Sequence, residues 1–163
     1  MDKNMNACVS LYKEQVNHGD IQKTYTFLLK YLMQVKASFE KAFSEEYACG
    51  YVSPGYMDYS YFSFFNDDLR DKKLRFGIVL NHHEMRFELW LMGQNKEIQN
   101  RYWDLFKTST WNHDRTTKPQ YAELEIVLVD CPDFENIDAL TAIIMNRAVE
   151  EADSVMAYLK KLD

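Results

Sequence analysis

Arg86, Glu88 and Trp90 occupy every second position in the stretch MRFELWLM, so as a strand they share one face. Arg75, in LRFGIVLN, faces them across a hairpin. A guanidinium, a carboxyl and an indole on one surface could form a shallow pocket. Trp90 would supply an aromatic wall, Glu88 an acceptor, and Arg75 or Arg86 a fork for a carboxylate or phosphate. The same residues also fit a solvated face with an Arg75–Trp90 cation–π contact and an Arg86–Glu88 neighbour pair. Asp58 and Tyr61 join the candidates from YMDYSYFSFF. A carboxylate among aromatic rings could be a base of raised pKa, or simply a surface Asp beside a turn.

Other chemistries find less support. His82 and His83 are adjacent, and neighbouring strand residues point to opposite faces, so His82-His83-Glu84 reads as a turn rather than a metal site. The chain has no G-x-S-x-G elbow, no G-x-G-x-x-G and no G-K-[ST]. No catalytic residue and no metal ligand is assigned, and the cofactor is unknown. A second cluster, Gln94, Gln99, Tyr102, Trp103 and Trp111, surrounds the helix that follows Gly93. Tyr102 and Trp103 are consecutive there and cannot both point inward, so one belongs at an edge.

The elements that position these residues follow from periodicity. Leu74 to Asn81 and Met85 to Met92 form a hairpin. With His82-His83 as the turn, Leu80 faces Met85, Ile78 faces Phe87, Phe76 faces Leu89 and Leu74 faces Leu91. On the other side Val79 meets Arg86, Gly77 leaves a gap opposite Glu88, and Arg75 meets Trp90. A turn two residues longer would keep both faces. Before the hairpin, Met5, Val9, Tyr12 and Val16 mark a short helix ending at Asn17-His18-Gly19. Asp20 is the expected N-cap of a longer one with Leu28, Leu32, Val35 and Phe39 on its apolar face. Strands are expected over residues 47–52 and 56–65, with a charged loop and a helical turn around Leu69 between the second of these and the hairpin. After it come a helix over Lys96 to Lys107 capped by Asn95, a long polar loop over residues 108–120, and a strand over residues 123–129. Such a loop is expected to be functional or mobile. A C-terminal helix with Leu140, Ile144, Ala148, Ala152, Val155 and Leu159 on one face closes the list.

The expected fold is therefore α+β, an antiparallel sheet of four to five strands with helices packed mainly on one face. All 163 residues form one domain, since five Gly and three Pro leave no room for a flexible linker. The net charge of −6 argues against nucleic acid as the partner, because a phosphate-backbone binder presents Lys and Arg. Three scattered Cys without C-x-x-C spacing read as reduced thiols. No stretch approaches eighteen apolar residues and MDKNMNACVSLYKEQ has no apolar core, so a cytoplasmic protein with no membrane partner is expected.

The strings IQKTYTFLLKYLM, GYMDYSYFSF and LRFGIVLNHHEMRFELWLMGQNKEIQNRYWDLF, with the C-terminal helix, resemble a family of small uncharacterised bacterial proteins, a domain of unknown function. The resemblance covers nearly the whole chain and implies no activity, ligand or partner. The element order also resembles that of the restriction-endonuclease-like core, whose active strands carry Asp and then Glu-x-Lys. Asp58 or Asp68 and Glu88 could fill those slots, but Glu88 is followed by Leu89-Trp90 and the lysine is absent. Three readings result. The first is a non-enzymatic binding module for a small anionic or aromatic ligand on the Arg75/Glu88/Trp90 face. A homodimeric interaction domain using that face, or Tyr59 and Tyr61, is the second. The third is a hydrolase or degenerate nuclease-like enzyme using Asp58 and Glu88.

Overall fold

The computed structural model describes residues 4–163. Asn4 opens α1 (Met5–His18), its side chain accepting from the Ala7 N–H at 2.9 Å. Gly19 closes α1 and opens α2 (Asp20–Phe43) at once, with φ of 83°. That left-handed conformation suits glycine, so Asp20 lies inside the first turn of α2 rather than capping it. Its charge still favours the helix N-terminus.

The next strands are shorter than their β-forming residues suggested. β1 is Ala48–Cys49 alone, and β2 is Tyr59–Phe65. Between them Gly55 and Met57 both take positive φ, 68° and 58°, which breaks extended pairing before Tyr59. Asn66 then caps the short helix α3 (Asp67–Asp71), which buries Leu69. The hairpin is β3 (Leu74–Asn81) and β4 (Arg86–Gly93). Asn95 caps α4 (Lys96–Phe106), accepting from the Ile98 N–H at 3.0 Å. β5 (Leu124–Val129) and α5 (Ile137–Lys161) complete the chain.

The sheet runs β1-β2-β3-β4-β5, every neighbour antiparallel, an α+β arrangement. One face carries Phe62, Phe64, Phe76, Ile78, Leu80, Phe87, Leu89 and Leu91, all without exposed surface. These join Tyr31, Leu32, Val35 and Phe39 of α2, Phe106 of α4, and Ile144, Ala148, Ala152 and Val155 of α5 in one core. Each fully buried Phe or Leu contributes about 1.5–3 kcal/mol through area removed from water. The opposite face holds a smaller cluster of Val79, Trp90, Met92 and Ala122, with Tyr59 and Tyr61 packed against it. Among the described residues no helix is long and apolar enough to cross a membrane.

Candidate functional site

The hairpin loop decides what lies beside what on the outer face. Asn81 Oδ1 accepts from the His83 and Glu84 N–H groups at 3.0 and 3.1 Å, and Met85 turns left-handed at φ 48°. The loop therefore spans residues 82–85, two longer than a His82-His83 turn. Every pairing slides by two: Leu80 faces Phe87, Val79 faces Glu88, Gly77 faces Trp90 and Arg75 faces Met92. Both faces keep their residues, but the gap at Gly77 lies opposite Trp90 instead of Glu88. Arg75 consequently does not pair with Trp90, and among the described residues no cation–π contact joins them.

Glu88 is 1% exposed and fully engaged. Its Oε2 accepts from Asn81 Nδ2 at 2.8 Å and Arg86 Nε at 3.0 Å, and its Oε1 accepts from the Trp90 indole N–H at 3.0 Å. It is thus a buried bracket that orients an indole, not a free acceptor for a ligand. Burial alone would lower the Arg86 pKa. The hydrogen bond and charge of Glu88, with Glu84 and Asp130, outweigh it and raise the value. Arg86 is accordingly held by Glu88 and lies 3.8 Å from Asp130, which leaves Arg75, exposed and without an ion pair among the described residues, as the available fork.

A cleft of about 350 Å³ runs along the outer face, within the range of small-molecule sites, and Trp90 lines it. Tyr59, Tyr61, Trp90 and Tyr121 supply its aromatic walls, Arg75 and Asp58 its charges, and Gln94 and Gln99 its amides. The Tyr59 ring is tilted 4.9 Å from Trp90, and Tyr121 lies nearly parallel to Trp90, 17° apart at 6.5 Å. The structure thus brings Asp58, Tyr61, Arg75 and Trp90 to one cleft, whereas Glu88 and Arg86 do not line it and reach it only through the Trp90 indole. The second cluster divides. Gln94 and Gln99 reach the cleft, whereas Tyr102 enters the main core and Trp111 packs on Phe106 and Tyr158. Trp103 is the half-buried edge residue.

Tyr121 was not singled out by its sequence surroundings, because the loop over residues 107–123 delivers it. That loop is tied down. Asn112, 1% exposed, donates to the carbonyls of Phe106 and Glu123, and Gln99 Nε2 donates to the Tyr121 carbonyl at 3.1 Å. Arg115 adds an ion pair to Glu125 at 2.8 Å.

Two arrangements could suggest catalysis, one at the cleft and one on the helix-covered face of the sheet. Asp58 Oδ1 accepts from the Tyr56 and Tyr59 N–H groups at 2.9 and 2.6 Å, and these bonds lower its pKa. It is therefore not the raised-pKa base considered from its aromatic setting. Ser60 Oγ lies 2.8 Å from His82 Nε2, but it also donates to the Pro54 carbonyl at 2.6 Å. With its only proton spent there, the hydroxyl must accept from His82, so the pair braces the turn instead of activating a nucleophile. Burial lowers the His82 pKa, against the nearby charge of Asp58. Asp58 and Glu88 share no cavity surface, since Glu88 is buried at the edge of the indole and does not line the cleft.

A family model covers residues 5–159, described as a domain of unknown function. The chain belongs to that family, DUF7000. The DUF7000 span contains the whole cleft, from Gly55 to Tyr121. No curated protein and no solved structure matches the chain.

Proposed function

We propose that the protein is a non-enzymatic binding module whose outer sheet face takes a small ligand, anionic or aromatic. The observation that carries this reading is the bracket that holds Trp90, a wall of the cleft. A fully buried Glu88 accepts from three side chains, one of them the Trp90 indole, and burying such a group is costly unless all its bonds are made. A buried carboxylate held by Asn81 and Arg86, with its other oxygen spent on orienting one aromatic wall, favours a recognition surface. Arg75, exposed at the same cleft, is suited to a carboxylate or phosphate.

The test is a thermal-shift screen against nucleotides, aromatic acids, amino acids and acidic metabolites. A ligand at about a hundred times its Kd stabilises the native state by about 2.7 kcal/mol, which raises Tm by roughly 5–10 °C in a domain of this size. The expected result is a shift lost in the double variant Arg75→Ala/Tyr121→Ala. Both residues are substantially exposed, so the variant keeps the fold. A shift of equal size in that variant would place binding elsewhere and end this reading. Trp90→Ala is the poorer probe, because Trp90 belongs to the outer cluster and its loss costs about 3–5 kcal/mol.

A second reading, self-association, has support on a different surface from the sheet. Tyr59 and Tyr61 already pack within their own chain, whereas α1 buries no residue and exposes Met5, Val9 and Tyr12.

A further inference from the structure

The near-parallel setting of Trp90 and Tyr121 bears on what the cleft accepts. A flat ring stacked between two others needs carbon contacts of about 3.5 Å on each side, so about 7 Å between the outer rings. The Trp90 and Tyr121 ring centroids lie 6.5 Å apart with their planes 17° from parallel, so the gap between the planes is at most 6.5 Å and must open to admit a ring. Tyr59 closes one side. Its ring lies 4.9 Å from Trp90 and 6.2 Å from Tyr121, steeply inclined to both, as an edge contact to an inserted ring requires. The Trp90 wall is fixed by Glu88. The Tyr121 wall is 47% exposed, so it is the one that can move to open the gap.

The charges give the other half of the ligand. Arg75 and Gln94 line both this cleft and a second hollow of about 200 Å³, which is also lined by Arg70 and Lys73. Among the described residues none of these three cations forms an ion pair, although Arg70 lies over the Phe65 ring at 5.0 Å. On a chain of net charge −6 such a grouping stands out as a place for an anion. A caged cation is the opposite case, and the free guanidinium of Arg75 opposes it. The nearby carboxyls of Glu88 and Glu125 are already paired with Arg86 and Arg115, and Asp58 is turned to backbone N–H groups.

We infer, resting on the binding-module reading, that the ligand is a planar aromatic molecule with an anionic arm, its ring held between Trp90 and Tyr121 and its arm on Arg75 toward Arg70 and Lys73.

The inference can be tested by following the Trp90 indole N–H signal in two-dimensional NMR, assigned by its disappearance in Trp90→Phe. Three probes separate the parts: 2-naphthyl phosphate carries ring and anion, naphthalene-2-methanol the ring alone, and cyclohexyl phosphate the anion alone. The expected result is a saturable ring-current shift with 2-naphthyl phosphate, at least about tenfold tighter than with either other probe. Tyr121→Ala should weaken it about tenfold while Tyr121→Phe retains it. Arg75→Gln should abolish the advantage of the phosphate over the alcohol. Equal binding of cyclohexyl phosphate, or no effect of Tyr121→Ala, would overturn the stacked-ring inference while leaving a binding site on the face. No response of Trp90 to any probe would overturn the inference, and the thermal-shift screen would then decide separately whether the face binds anything.

Discussion

Glu123 shows how much one side chain can be asked to tolerate in this molecule. It has no exposed surface, its Oε1 accepts from the Gly93 N–H at 2.9 Å, and its Oε2 has no hydrogen-bond partner among the described residues. Burial pushes its pKa up to about 8, against the opposing pull of the Gly93 N–H and the charge of Lys118. The folded chain thus keeps a proton that the unfolded chain releases above about pH 4.5. Stability contributed by this group is complete below that value and falls as pH rises toward about 8, at about 1.4 kcal/mol per unit. Glu123→Gln has the same shape and no proton to lose. In urea titrations the variant should match the parent near pH 4 and exceed it by a few kcal/mol at pH 8. A stability difference that does not change between those two pH values would show that Glu123 titrates normally. Comparing parent with variant cancels the other titrating groups, including His82, whose lowered pKa acts in the opposite direction.

At the scale of elements, the junction of β4 and α4 depends on Gly93. A Cβ there would come within 2.8 Å of the Gln99 backbone nitrogen and 2.9 Å of Glu123 Oε1, neither of which can move freely. At Gly77 the nearest clash is the terminal methyl of Met92 at 2.7 Å, which can rotate away. Gly93→Ala should therefore cost about 1–3 kcal/mol and Gly77→Ala clearly less, read from urea midpoints. Equal costs would show that the close approach at Gly93 is relieved by backbone adjustment. Elements of this kind were largely legible from sequence. The stripes of α2, α4 and α5 rest on local periodicity, and the faces of β3 and β4 survive any even slip of register. The register was not legible, because it turns on an Asn81 side-chain bond and a left-handed Met85, and Met is an unusual residue for positive φ. The cleft was half legible. Arg75 and Trp90 share a strand face, but Tyr121 reaches them only through a loop anchored by the buried Asn112, a contact no local pattern announces.

The whole molecule is asymmetric in how it covers its apolar surface. The helical side of the sheet is closed by α2, α4 and α5, and the outer side is partly covered where Ala122 and Tyr121 reach it, yet α1 contributes nothing to either cluster. Its Met5, Val9 and Tyr12 are 74%, 57% and 71% exposed, and Val16 and Ile21 extend the apolar surface beyond them. The only charged residues of α1 at neutral pH are Lys13 and Glu14, which cancel, so two copies can approach without a large local charge penalty despite the overall −6. A second copy of the same helix, pairing stripe to stripe, is the simplest cover. One short helix offers only a few hundred Å² per copy, below the roughly 1,000 Å² total of a stable interface, so the association should be weak and concentration-dependent. Light scattering should give 19.4 kDa in dilute solution and a mass rising toward twice that at high concentration. Val9→Glu/Tyr12→Glu should hold the lower mass throughout with an unchanged Tm, since neither side chain is buried in the monomer. A parent protein that stays at 19.4 kDa near its solubility limit would rule out pairing through α1.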